Sequence, residues 1–115
     1  MKDKLAEIFE IQAKLQKLHG HDFDNMTTEE KEAYTKDFVL YLLEETHELL
    51  RETNFKTYKK SRKPVDINKI SEELIDVGAF LFDICLAWGL TAEDFHKKFL
   101  EKSKKNLSRV HDKTY

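Results

Sequence analysis

The sequence is poor in the residues that cross-link or interrupt small folds. Its 115 residues include one cysteine, one proline and three glycines. A single cysteine excludes an internal disulfide framework and a zinc site built on several cysteines. The scarcity of proline and glycine argues against the many tight turns of a β-sandwich or barrel. A few long helices are expected instead.

Neither sign of charge dominates, and no long hydrophobic run is present. The chain has 20 Lys and Arg residues against 22 Asp and Glu residues, a formal net charge of -2. This balance gives no general attraction to nucleic acid or to an anionic membrane. No apolar stretch approaches the ~18 residues of a membrane-spanning helix, and the N-terminus lacks the pattern of a signal peptide. We therefore predict a cytoplasmic protein that binds neither nucleic acid nor membrane.

The length and composition fit one globular domain covering residues 1–115. Hydrophobic residues make up 40% and charged residues 37% of the chain, which is typical of a folded soluble protein. A chain of this length buries roughly two thirds of its unfolded surface, enough for one core without cross-links.

Apolar residues recur at spacings of three and four and predict four α-helices. The first covers about residues 3–19. The second covers about residues 27–53, and a break near residues 35–37 is an open alternative. The third covers about residues 67–89, and the fourth covers about residues 91–109. The expected fold class is all-α, a four-helix module.

Local signals mark the helix ends. Gly20 is placed to end the first helix, since glycine readily adopts a positive φ. Thr27 with Glu30, and Thr91 with Asp94, fit the capping box, in which two side chains bond each other's backbone N–H groups. These pairs predict the starts of the second and fourth helices.

The connection between the second and third helices, residues 54–66, is long and basic. It contains five basic and two aromatic residues, and no acid occurs between residues 55 and 65. Connections between helices are usually shorter, so this loop is predicted to be functional or mobile. Its charged residues are Lys56, Lys59, Lys60, Arg62 and Lys63.

Two pairs of acids share one spacing on neighbouring helices. Glu45 and Glu48 lie about 60° apart on one side of the second helix, and Glu73 and Asp76 repeat that spacing on the third. If the two helices pack antiparallel, both pairs point at a common centre.

The third helix is apolar in almost every direction and is therefore predicted to be buried, which argues against a monomer. Only one sector, with Glu73, Asp76 and Asp83, is acidic. A buried anion costs several kcal/mol unless a cation or donor compensates it, and no Lys or Arg occurs between Ser71 and Trp88. Oxygen ligands favour Mg²⁺, or Mn²⁺. The alternative is that these acids are solvated or paired with lysines.

These motifs resemble the signature of the all-α nucleoside triphosphate pyrophosphohydrolases, which include MazG and the dimeric dUTPases. The acidic part is Glu44-Glu45-x-x-Glu48 followed by Glu73-x-x-Asp76. The tail resembles the MazG-type ending, in the form Glu101-Lys102-x-x-Lys105-Asn106-x-x-Arg109. Residues 48–59, and Phe80 four residues after Asp76, look more like the phage-type dUTPases.

The resemblance implies a helical-bundle homo-oligomer, a homo-dimer or tetramer. It would use Mg²⁺ to hydrolyse a (d)NTP to the (d)NMP and pyrophosphate, as nucleotide-pool house-cleaning. The implied metal ligands are Glu45, Glu48, Glu73 and Asp76. The implied phosphate contacts are Lys102, Lys105, Asn106 and Arg109. A dedicated dUTPase or dCTPase and a non-catalytic helical interaction module are the alternatives. For the tail, the alternative is a structural role, in which its positive charges complement the dipole at the C-terminus of the fourth helix.

Further roles follow from this hypothesis. Glu48 is the expected general base, with Glu45 next, and Lys56 and Lys59 of the basic loop are additional phosphate contacts. Base or sugar contacts are expected from Gln12, Phe80, Asp83 and Tyr58. Core packing is an equal alternative for Phe80, and a satisfied core amide for Gln12.

Overall fold

A computed structural model describes residues 3–112 and contains four α-helices, with no strand in that range. A short 3-10 helix, Phe23–Asn25, lies between the first two. The predicted all-α fold is confirmed. The helices are α1 (Lys4–Leu18), α2 (Thr28–Arg51), α3 (Ile67–Ala87) and α4 (Ala92–Asp112).

The helix ends form where the local signals predict them. Thr27 Oγ1 accepts a hydrogen bond from the Glu30 N–H, and Glu30 Oε1 accepts one from the Thr27 N–H, both at 3.1 Å. Thr91 and Asp94 form the same reciprocal pair at the start of α4, at 3.0 and 3.1 Å. Gly20 has φ +89° directly after α1. Both capping boxes are therefore confirmed.

Helices α2 and α3 form an antiparallel pair. Near one end, Trp88 Nε1 donates to Thr35 Oγ1 at 2.7 Å. Further along, the rings of Phe38 and Phe80 lie 5.7 Å apart. Contacts therefore run down α3 as they run up α2. Because α2 is continuous through residues 35–37, the alternative of a break there is wrong.

The core lies where α1, α3 and α4 meet. The Phe9 ring is buried, 5.0 Å from Phe82 on α3 and 6.0 Å from Phe95 on α4. Tyr34 and Ala87 are also buried. Helix α4 turns away from α3 by 106° and packs against α1. The long axis of α3 is thus held between α1 and α2, and this arrangement fixes its acidic sector against α2.

The prediction that α3 is buried on every side is wrong for the single chain. Ile67 and Ile75 are 69% and 72% exposed, since α1 and α2 cover only part of the helix. On α4, Phe99 and Leu107 are also exposed. The radius of gyration is 17.6 Å, against roughly 13 Å for a compact domain of this length. Assembly into a homo-oligomer stays a prediction.

No single helix within residues 3–112 is long and apolar enough to cross a membrane. Helices α3 and α4 taken together, across their bend of 106°, have the length and apolar composition of a membrane span.

Candidate functional site

Three of the four predicted metal ligands meet between α2 and α3. One carboxylate oxygen from each of Glu45, Glu73 and Asp76 lies within 4.8 Å of the other two. The antiparallel packing produces this cluster, because it sets one acid of α2 against two acids one turn apart on α3. Glu48 is exposed and lies outside the group of three, and its role as a ligand stays a prediction.

Two oxygens of this acidic cluster are buried without a partner. Glu45 Oε2 and Glu73 Oε2 have almost no contact with solvent and accept no hydrogen bond. No lysine or arginine within residues 3–112 forms an ion pair with the three acids. Carboxylates only accept when ionised, and buried polar groups are normally satisfied. The donor set therefore fits a divalent cation that prefers oxygen ligands.

The electrostatics of the cluster point the same way. Burial, followed by the negative charge of Glu48, raises the pKa of Glu45 to about 7. Burial is also the main reason that the pKa of Glu73 is raised, with Glu48 and Asp76 adding to it, while a hydrogen bond from protonated Glu45 opposes the rise. Crowded negative charge thus disfavours full ionisation of the cluster when no cation is present. A metal ion in the same place would favour the ionised carboxylates.

An aromatic cluster lies next to the acids. Phe80 packs 5.7 Å from Phe38 and 5.9 Å from Tyr41, measured between ring centroids. Phe80 is partly exposed, and it lies about 40° from Asp76 around α3. This position is compatible with core packing and with stacking on a base, so stacking on a base stays a prediction.

Gln12 and Asp83 were both expected to contact the nucleoside, and the structure joins them to each other. Gln12 Nε2 donates to Asp83 Oδ1 at 2.9 Å. Asp83 is only 2% exposed, so its carboxylate has no open face toward a sugar, and the predicted direct contact is corrected. Burial raises the pKa of Asp83 to about 6, although the Gln12 hydrogen bond and the His19 charge oppose the rise.

A second buried pair accompanies the first. The Tyr34 hydroxyl donates to Gln16 Oε1 at 2.8 Å. Burial and then the Asp83 charge raise the pKa of Tyr34, which therefore stays protonated. The sequence analysis missed this pair. The available signal was the second glutamine, one turn after Gln12 on α1.

An apolar groove of about 250 Å³ opens between α1 and α3, beside Gln12. Gln12 is the one polar side chain among the described residues that line it. The others are Ile8, Ile11, Leu74, Ile75, Gly78, Ala79 and Phe82.

The basic loop is closed at its base by one side chain. Asn54 Nδ2 donates to the Lys63 carbonyl, and Asn54 Oδ1 accepts from the Lys63 N–H, both at 2.9 Å. The loop and the end of α2 enclose a basic pocket of about 620 Å³. Lys56 and Lys59 line it, and their role as phosphate contacts stays a prediction. Tyr58 is 77% exposed and lies outside the pocket. The other lining residues are His47, Arg51, Thr53, Asn54, Phe55, Ser61 and Lys63.

The basic tail stays apart from this machinery in the single chain. All four predicted phosphate contacts on α4 are exposed, and none of their side chains forms a hydrogen bond or ion pair within the described part of the chain. Their role stays a prediction. They are Lys102, Lys105, Asn106 and Arg109.

Comparison with known proteins decides the family. A family model described as dUTPase matches residues 4–87. The chain belongs to this dUTPase family. The family is all-helical and related to the MazG-type proteins, so the resemblance found in the sequence is confirmed. A dUTPase-family chain is a hydrolase acting on nucleoside triphosphates.

The dUTPase match covers α1, α2 and α3, and with them the acidic cluster and the apolar groove. It ends before α4. No curated protein and no solved structure matches the chain significantly.

Proposed function

We propose that the protein is a Mg²⁺-dependent dUTP pyrophosphohydrolase, which converts dUTP and water to dUMP and pyrophosphate. One observation carries the proposal in a chain of the dUTPase family. Glu45, Glu73 and Asp76 converge within 4.8 Å, with two buried oxygens that no donor or cation satisfies.

The cluster would hold the ion through Glu45, Glu73 and Asp76, with Glu48 as a fourth acid at its edge. A bound Mg²⁺ supplies positive charge that orients the phosphates and offsets the charge that develops in the transition state. Mn²⁺ offers the same coordination to these oxygens.

The reaction is a hydrolysis in which side chains of the protein accept a proton from water and stabilise the leaving group. A water oxygen bonds to one phosphorus of the α–β bridge while that phosphorus loses its bond to the bridging oxygen. Glu48 is exposed beside the cluster and accepts the proton of the attacking water as general base. Positive side chains then stabilise pyrophosphate, with Lys56 and Lys59 in the basic pocket as contributors.

The test is pyrophosphate release from a panel of deoxynucleoside and nucleoside triphosphates, with Mg²⁺ and with a chelator. We expect dUTP to be the best substrate and the chelator to abolish release. The matched control is Glu72→Gln, which removes an exposed acid adjacent to the cluster and should retain activity. No release from any nucleotide would overturn the proposal.

A second candidate is broad house-cleaning hydrolysis of several (d)NTPs. The MazG-like tail on α4 favours it, because that segment lies outside the dUTPase match. Comparable rates across the panel would support this candidate over a dedicated dUTPase. A non-catalytic interaction module would show no turnover with any nucleotide.

We also propose that the protein acts as a cytoplasmic homo-dimer or tetramer. The exposed apolar side chains Ile67, Ile75, Phe99 and Leu107 support assembly, since a second copy would cover them. Light scattering of the purified protein tests the oligomeric state, and a strict monomer would contradict it.

A further inference from the structure

The basic pocket between the end of α2 and the loop concentrates positive charge, and no acid is among its described lining residues. Arg51 of α2 and three lysines of the loop supply the charge, and His47 lies one turn before Arg51. The lysines are Lys56, Lys59 and Lys63. Like charges that line one concave site raise the local concentration of anions. The pocket is therefore suited to an anion that carries several negative charges.

The cations of this pocket are not neutralised by the protein itself. Glu48 precedes Arg51 by three residues on α2, a spacing at which a carboxylate and a guanidinium can meet. No acid within residues 3–112, Glu48 included, forms an ion pair with Arg51 or with the three lysines. A neighbouring pocket of about 280 Å³ also includes Arg51, but Glu52 and Asp66 line it. The larger pocket, by contrast, keeps its positive charge for a ligand.

Both walls of the pocket are held in place before a ligand arrives. On the helix side, Arg51 belongs to the last turn of α2. On the loop side, Asn54 lines the pocket and makes two hydrogen bonds of 2.9 Å to the backbone of Lys63. Lys56 Nζ lies 5.7 Å from the centroid of the Phe55 ring, within range of a cation–π contact. A preorganised site loses less conformational freedom when it binds a ligand.

The pocket and the acidic cluster lie on different sides of α2. Measured around the helix axis from Glu45, His47 lies about 160° away and Arg51 about 120° away in the same direction, and Arg51 is about 9 Å further along the axis. Glu45 meets two acids of α3, so the pocket opens away from α3. The body of a helix about 10 Å wide lies between the two sites. An anion in the pocket is therefore separate from one at the cluster.

We propose that the basic pocket is a second anion site, which binds a phosphate chain without a metal ion and has Arg51 as its anchoring cation. A guanidinium can donate to two phosphate oxygens at once, and the loop lysines add positive charge around the chain. Pyrophosphate that has left the cluster and the triphosphate of a nucleotide both offer this chemistry. The site needs neither turnover nor the acidic cluster, so this inference goes beyond the proposed function.

The experiment is a calorimetric titration of the full chain with inorganic pyrophosphate, with a chelator present so that the acidic cluster holds no cation. We expect saturable binding by wild type and at least about tenfold weaker binding by Arg51→Gln, because charge-assisted hydrogen bonds are lost. The matched control is Arg62→Gln, which removes the same charge from a loop residue outside the pocket. That control and Glu73→Gln should bind as wild type does. A second titration uses a non-hydrolysable dUTP analogue under the same conditions.

The outcomes separate this inference from the proposed function. If wild type hydrolyses no nucleotide, the proposed function fails, and the titration with pyrophosphate still decides the inference. Absence of metal-free binding overturns it, as does equal weakening in Arg51→Gln and Arg62→Gln, which would show a general attraction to positive charge. Lost binding in Glu73→Gln also overturns it, because the anion would then lie at the cluster.

The dUTP analogue distinguishes the two sources of the phosphate chain. An analogue that binds no more tightly than pyrophosphate shows that the chain alone is recognised, and tighter binding identifies the nucleotide as the occupant. An analogue that does not bind at all while pyrophosphate does identifies pyrophosphate as the occupant. If Arg51→Gln does not fold, Lys63→Gln is compared with Arg62→Gln in its place: weaker binding supports the site, and unchanged binding overturns it.

Discussion

Glu45 of α2 and Glu73 of α3 face each other across the helix pair, each with one buried oxygen that accepts no hydrogen bond. This relationship explains why the pKa of Glu45 is raised, since burial and neighbouring negative charge disfavour its ionised form. It also explains why the arrangement suits a divalent ion. Two ionised carboxylates in this position repel each other, and the repulsion disappears when a cation lies between them.

The first prediction concerns stability, pH and metal. Because the pKa of Glu45 is raised to about 7, the folded apo protein binds more protons than the unfolded chain below that pH. The contribution of this group to stability is therefore present at acidic pH and is lost as pH rises through about 7. Mg²⁺ competes with the proton, so it should raise Tm more above pH 7 than below it. Thermal unfolding with and without Mg²⁺, about one pH unit above and below pH 7, checks this. Equal shifts of Tm at the two pH values would contradict it.

The second prediction concerns Glu48. Glu48→Gln should reduce kcat by roughly 10²- to 10⁴-fold, as expected for loss of a general base. The same change removes a negative charge that acts on both Glu45 and Glu73. The metal-free variant should therefore be as stable as wild type or more stable in denaturant titrations. The control is Glu44→Gln, an exposed neighbour. Near-normal turnover of the variant would show that Glu48 is not the general base. Unfolding of the metal-free variant would show that the Glu48 charge stabilises the fold.

The third prediction concerns Asp83 and pH. The pKa of this buried carboxyl is raised to about 6. Its contribution favours the folded state below its unfolded pKa of about 4 and declines as pH rises through about 6. The Asp83→Asn variant cannot titrate, so its stability should change less than that of wild type between these two pH values. Parallel denaturant titrations check this, and identical pH profiles would contradict it.

The fourth prediction concerns the basic loop. Asn54→Ala removes both hydrogen bonds that join residue 54 to Lys63, at about 1 kcal/mol each. The loop should become more sensitive to protease, and KM for the nucleotide should rise more than kcat falls. In wild type, Mg²⁺ with a non-hydrolysable nucleotide should protect the loop. Thr57→Ala is the control within the same loop. Equal cleavage with and without the nucleotide would show that the basic pocket does not receive it.

Sequence alone predicted the features that depend on neighbouring residues. The Thr27–Glu30 and Thr91–Asp94 capping boxes are local, and both formed as expected. The meeting of the acids followed from their helical spacing and one assumption, antiparallel packing. That assumption is confirmed by the contacts of α2 with α3.

Features that depend on distant residues were missed or misplaced. The bond between Gln12 and Asp83 joins residues 71 positions apart, and no periodicity indicates that two polar groups will satisfy each other. The Asn54 clamp closes a loop whose conformation no repeat specifies. The exposure of Ile75 on α3 was misjudged. The apolar pattern of a helix predicts that it is buried, but it does not indicate whether the same chain or a second copy buries it.

The most direct test of the central claim is the metal dependence of dUTP hydrolysis in Glu73→Gln against Glu72→Gln. These variants carry the same chemical change at adjacent positions of α3, one inside the acidic cluster and one outside it. If the cluster holds the ion, Glu73→Gln should need at least tenfold more Mg²⁺ for half-maximal activity or lose activity altogether, and Glu72→Gln should match wild type. Equal Mg²⁺ dependence in both variants and wild type would contradict the account.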